Sequence, residues 1–171
     1  MKQTLKYIYQ LLYSQLKYAE AKFSISITLA SALTVFSATY LNDFSPLVTG
    51  LSAISIIFSL ISVGYGFLAI SSKRFSTKKY EKIDKKLDLI YHKDIAKLNE
   101  KNYIEELINN YPFLKGYKPD NFDYNLARQI INTAKGISQK FVFFNFSIIF
   151  LVLSLITESI AIFLLGVGVK V

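Results

Sequence analysis

Cysteine is absent from the 171 residues, and histidine occurs once, at His92. Disulfides, thiolate nucleophiles and zinc ribbons are therefore excluded, and one imidazole cannot build a multi-histidine metal centre. Proline and glycine are sparse, at three and seven residues. There is no Gly-rich phosphate loop, no nucleophile elbow and no pair of carboxylates beside a plausible base. These absences predict a protein that is not an enzyme and that carries no cofactor and no metal. Arginine is nearly missing too: of 20 basic residues only Arg74 and Arg128 can clamp a phosphate bidentately. Against 12 acidic residues the formal net charge is +8, suited to anionic lipid, nucleic acid or an anionic small molecule. No nucleic-acid-binding motif is present, and the aromatic residues are not spaced as stacking platforms. Nucleic acid is therefore not an expected partner.

Charge is also absent from three long apolar runs, and these dominate the chain. Phe23 to Leu41 is uncharged over 19 residues, about 28 Å as a helix at about 1.5 Å per residue, enough to cross a bilayer. Leu47 to Ile70 is equally uncharged, and the short Asn42–Pro46 turn between the two makes a helical hairpin. The third run follows Lys140 and is uncharged up to Val169 except for Glu158. None of the three has the polar face that a soluble amphipathic helix keeps. The mostly polar or amphipathic stretch before Phe23 argues against a cleaved secretory signal.

The expected fold is an all-α membrane protein. Residues 1–22 form an amphipathic helix, with Leu5, Ile8, Leu12, Leu16 and Ala19 at three-to-four spacing. Residues 23–71 form a transmembrane hairpin, residues 72–140 a helical module and residues 141–171 a third span with a short tail. Lys2, Lys6, Lys17 and Lys22 precede the first span, the hairpin turn has no cation, and residues 72–140 carry fifteen. The positive-inside rule then places the N-terminus and residues 72–140 in the cytoplasm, and Lys170 and Val171 outside. The seven cations between residues 72 and 86 sit where anionic headgroups attract them, or where a basic mouth would gather nucleotides. Asn99 can cap a helix over the following residues, 111–123 read as a loop, and the helix after it is expected to continue into the third span.

Inside the membrane, Ser52, Ser55, Ser59, Ser62, Gly66 and Ala69 recur at steps of three and four, so they share one helix face. Small residues allow close helix approach and serine hydroxyls can bond across it, which makes this face a packing seam within one chain or between chains. Ser24, Thr28, Ser31 and Ala38 form a similar seam on the first span, and Ser147, Ser154, Glu158 and Ala161 on the third. A carboxylate in hydrocarbon costs a few kcal/mol unless it meets protein, water or a proton, so Glu158 is expected to point inward. It either lies near the outer boundary with the last residues folding back, or lines an interface that opens on assembly.

Several short segments keep a characteristic order against the spans: Ala19-Glu20-Ala21-Lys22, Asp94-Ile95-Ala96 before a helix centred on Tyr103, and Leu126-Ala127-Arg128-Gln129-Ile130 leading into the last span. This pattern covers nearly the whole chain and resembles the membrane-spanning effector family (PycTM) of Pycsar bacterial anti-phage defence, although that family usually shows Ala-Asp-x-Lys at the first position. The resemblance implies an inner-membrane, multi-pass effector. It also implies that a partner pyrimidine nucleotide cyclase makes cUMP or cCMP on infection, and that this second messenger activates the effector to impair the membrane. Within the resembling segments, Lys22, Asp94 and Arg128 are the candidates for nucleotide contact. Alternatively Asp94 caps a helix and Arg128 pairs with a nearby carboxylate. The small-residue seams and Glu158 are the candidates for homo-oligomer packing or a pore. The rival reading is a ligand-independent transporter subunit or assembly scaffold. A transporter would show broken helices and paired midplane polar groups. An intramembrane enzyme would need an activated nucleophile, and the spans hold no His, Lys, Asp or Cys to supply one.

Overall fold

The computed structural model describes residues 1–41, 45–71 and 87–167, and these residues hold helices and no strand. In chain order they are α1 (Lys2–Ala38), α2 (Pro46–Ser71), α3 (His92–Ile95), α4 (Glu100–Asn110), a 3-10 turn (Pro112–Leu114) and α5 (Asn121–Gly166). Three of them, α1, α2 and α5, are long and apolar enough to cross a membrane. Most of the Asn42–Pro46 turn, the basic run at 72–86 and the Lys170–Val171 tail lie outside the described residues.

The chain divides into two compact units. A polar unit comprises Met1–Ala19 and the described part of Ser72–Lys140; a membrane unit comprises the described parts of Glu20–Ser71 and Phe141–Val171. The division falls within α1 and within α5, each of which is one unbroken helix.

The polar unit is a conventional apolar core. Leu5, Ile8 and Leu12 from α1, Tyr103, Ile104 and Leu107 from α4, and Ile130, Ala134 and Ile137 from α5 are buried, as are Ile95 and Leu98. Local chemistry sets the helix ends. Asn99 accepts the Asn102 N–H at 2.7 Å and starts α4. Lys115 and Gly116 form the corner of a tight turn closed by Tyr117 N–H on Leu114 C=O at 3.0 Å. Gly116 takes φ 82 there, a left-handed value that suits glycine. Residues 121–123, expected to lie in a loop, are already helical. Asp120 accepts the Asp123 N–H at 3.0 Å and Asp123 accepts the Asp120 N–H at 3.1 Å, a reciprocal cap that begins α5 ahead of its apolar periodicity.

The membrane unit is a three-helix arrangement whose register is read from its pairs. Phe23 packs on Phe144 with ring centroids 5.3 Å apart, Ser26 bonds Ser147 at 3.0 Å, and Ser37 bonds Glu158 at 2.6 Å, the last two at the same sequence separation of 121. A constant offset means α1 and α5 run parallel. Ser62 pairs with Ser147 and Ser55 with Ser154, so α2 runs antiparallel to α5, with contacts a heptad apart. Outward lie Ile25, Leu29, Val35, Ile57, Leu60 and Phe163, among other large exposed apolar side chains, a surface suited to lipid and not to water.

The first span departs from expectation. Ser24, Thr28, Ser31 and Ala38 are exposed, and the buried face of α1 carries Phe23, Ser26, Ala30 and Ser37. Both stripes have helical spacing. The outward hydroxyls of Ser24 and Thr28 donate to carbonyls four residues back, so lipid exposure leaves them satisfied.

Close approach is most demanding at Gly66, where an added Cβ would lie 2.5 Å from Ile27 Cγ1. Gly66→Val is expected to lower the stability of the detergent-solubilised protein by about 1–3 kcal/mol through overpacking, whereas Gly64→Val, with open space around it, leaves it nearly unchanged. Thermal unfolding of the two variants checks this.

Candidate functional site

Two places gather polar chemistry. The first is the interior seam of the membrane unit. Ser52, Ser55, Ser59, Ser62 and Gly66 all face inward on α2. Thr34 and Ser59 share a hydrogen bond of 2.6 Å. Ser55 bridges Ser37 at 3.1 Å and Ser154 at 2.9 Å. Ser62 and Ser147 exchange bonds with each other's backbone carbonyls at 2.8 and 2.9 Å. These bonds reach all three helices, and in hydrocarbon each is worth on the order of 1 kcal/mol.

Glu158 belongs to this seam. It is 2% exposed, and its Oε2 accepts the Ser37 hydroxyl at 2.6 Å. The helix continues to Gly166 beyond it, so the described residues do not fold back after Glu158. Glu158 Oε1 and Ser52 Oγ are buried with no hydrogen-bond partner among the described residues.

The second place is in the polar unit, an open cleft of about 440 Å³ lined by Leu87, Asp88, Leu89, Asn110 and Tyr111. Its wall is shaped by Asp94, whose carboxylate accepts the Asp88 N–H at 3.3 Å, and by Tyr103, whose hydroxyl donates to Leu89 C=O at 3.2 Å. The cleft offers an aromatic ring, a carboxylate and an amide, but no cation among its described lining residues. That set suits the base or sugar of a nucleotide better than its phosphate.

The three candidates for nucleotide contact have different local settings. Asp94 pairs with Lys97 at 2.9 Å, and that ammonium, with the Asp88 N–H, holds its carboxyl below the usual range. Arg128 donates to Glu100 at 2.8 Å, so it pairs with a nearby carboxylate. Glu100 is lowered first by its own backbone N–H and then by Arg128. Lys22 is half-buried on α1 within the membrane unit, whereas Asp94 and Arg128 belong to the polar unit. The sequence reading missed Ser26, Thr34 and Ser37, and also Asp88, Asn110 and Tyr111. Only the partner helices distinguish the buried hydroxyls from their neighbours. Tyr111, directly after the last residue of α4, carried no periodic signal.

Residues 4–167 match the family model PycTM, described as the Pycsar effector protein domain. No curated protein and no solved structure matches the chain.

One histidine reports on the integrity of the polar unit. Burial, and secondly Lys93, hold His92 below its ordinary 6.5. The unfolded chain therefore takes up a proton at higher pH than the folded one, and stability is lost as pH falls through the ordinary histidine range. The unfolding temperature should drop between about pH 7.5 and pH 5.5, and the drop should be smaller in His92→Gln. Parallel pH series of the two proteins check this.

Proposed function

The chain belongs to the Pycsar effector family and is a membrane effector of anti-phage defence, and on that premise we propose that a cyclic pyrimidine mononucleotide, cUMP or cCMP, is its activating signal. A partner pyrimidine nucleotide cyclase makes the signal on infection. The polar unit binds it, and the membrane unit responds by impairing the inner membrane, so growth stops before phage mature. The family match over residues 4–167, which takes in both units, is the observation that carries this reading.

In this reading the N-terminus and residues 72–140 are cytoplasmic, in keeping with their concentration of lysine. The protein acts by binding and rearrangement, as a homo-oligomer, and not as an enzyme; it takes a nucleotide as signal and needs no cofactor. Arg128 and Asp94 are the proposed nucleotide contacts of the polar unit, with Lys22 a candidate at the start of the membrane unit. An exposed ion pair such as Arg128 with Glu100 contributes only about 0–1 kcal/mol, so the guanidinium can exchange it for a cyclic phosphate at little cost. The cleft beside Tyr111 suits the base. A ligand shifts such an equilibrium only by its differential affinity for the active form.

Titration of the full chain in detergent with cUMP, cCMP and cyclic oligonucleotides tests the proposal. One of the two mononucleotides is expected to bind and raise the unfolding temperature, and Arg128→Ala to weaken binding roughly tenfold or more, the loss of one charge-assisted contact. Binding of none of them overturns the proposal. In cells, growth arrest on phage challenge is expected only beside the cyclase. A transporter subunit or scaffold would give no cyclase-dependent arrest.

A further inference from the structure

The membrane unit buries one carboxylate among hydroxyls, and its surroundings specify what compensates the charge. Glu158 is 2% exposed, and Ser37 from α1 fixes its Oε2 at 2.6 Å, a length typical of a hydroxyl donating to a carboxylate. Its other oxygen, Oε1, meets no donor and no acceptor among the described residues. Among the described residues, no Lys or Arg is buried in the membrane unit. Oε1 therefore presents unused lone pairs to the bundle interior.

Ser52 adds a second set. It is 0% exposed and its Oγ is likewise unpartnered. Ser52 lies one turn from Ser55 on α2, and Glu158 lies one turn from Ser154 on α5. Because Ser55 and Ser154 are paired and the two helices run antiparallel, these turns extend in the same direction, which puts Ser52 level with Glu158. Ser37, bonded to both Ser55 and Glu158, joins this layer from α1.

We propose that the Ser37, Ser52 and Glu158 layer is an intramembrane binding site for a monovalent alkali cation. Glu158 Oε1 and Ser52 Oγ supply oxygen ligands, and Ser37 holds the carboxylate in place. Oxygen donors suit a hard cation. One carboxylate balances one positive charge, while a divalent ion would leave a net charge buried in hydrocarbon. The ligands come from α2 and α5 and their orienting group from α1, so the ion ties the three helices together. The site does not depend on which nucleotide, if any, the polar unit binds.

The test uses the full chain in detergent, with no nucleotide, at fixed pH and ionic strength in lithium, sodium, potassium or N-methyl-D-glucamine chloride. At least one alkali salt is expected to raise the unfolding temperature over the organic cation by roughly 2–4 °C, the size that mass-action stabilisation gives a chain of this length. Glu158→Gln, which keeps shape and removes the charge, is expected to abolish the difference between salts, and Ser52→Ala to reduce it. Equal unfolding temperatures in all four salts overturn the proposal. So does a cation response that survives Glu158→Gln, which would place the ion elsewhere. A response to pH with none to cation identity also overturns it, and would assign the compensation to a proton.

Discussion

Within a bilayer the hydrophobic effect gives helices no reason to associate, because lipid tails are as apolar as leucine. Association must come from close packing and from polar groups that find no partner in lipid. The membrane unit is built on that constraint: its interior hydroxyls run from Ser26 and Ser62 on Ser147 to Ser55 on Ser154 and Ser37 on Ser55 and Glu158. The pairs recur a heptad apart on α2 and α5, so each bond reinforces the register that the others require. Gly66 against Ile27 and Phe23 against Phe144 fill the spaces between them.

The polar unit is held by a different force. Tyr103, Leu107, Ile130 and Ile137 are removed from water, with a gain that scales with buried apolar area, and hydrogen bonds mainly define where helices begin. Asp123 and Lys140 are buried, and the ion pairs Lys2 with Asp120, Lys97 with Asp94 and Arg128 with Glu100 lie at its surface. Such pairs contribute little to stability and are easily exchanged.

The legible features were those that depend on composition and single-helix geometry. Uncharged runs of span length gave three membrane helices. The three-to-four spacing of Ser52, Ser55, Ser59 and Ser62 gave the inward face of α2, because the opposite face of that helix offers mostly large apolar residues. Asn99 announced α4, since its side chain acts on its own backbone. Glu158 was legible as inward-facing from the cost of its charge alone. The loop reading of 111–123 failed at its end, because proline and glycine nearby masked the Asp120 and Asp123 cap.

On α1 the sequence alone could not choose a face. Ser24, Thr28 and Ser31 keep helical spacing just as Ser26, Ala30 and Ser37 do, and a hydroxyl on a helix can satisfy itself on its own backbone. Thr34 opposite Ser59, and Ser37 opposite Ser55 and Glu158, decided it. Likewise Arg128 and Glu100 stand 28 residues apart and share no local pattern. Length, apolarity and caps are properties of one segment and can be read from it. Which of two equivalent faces is buried depends on the groups that another helix presents, and only the tertiary structure supplies them.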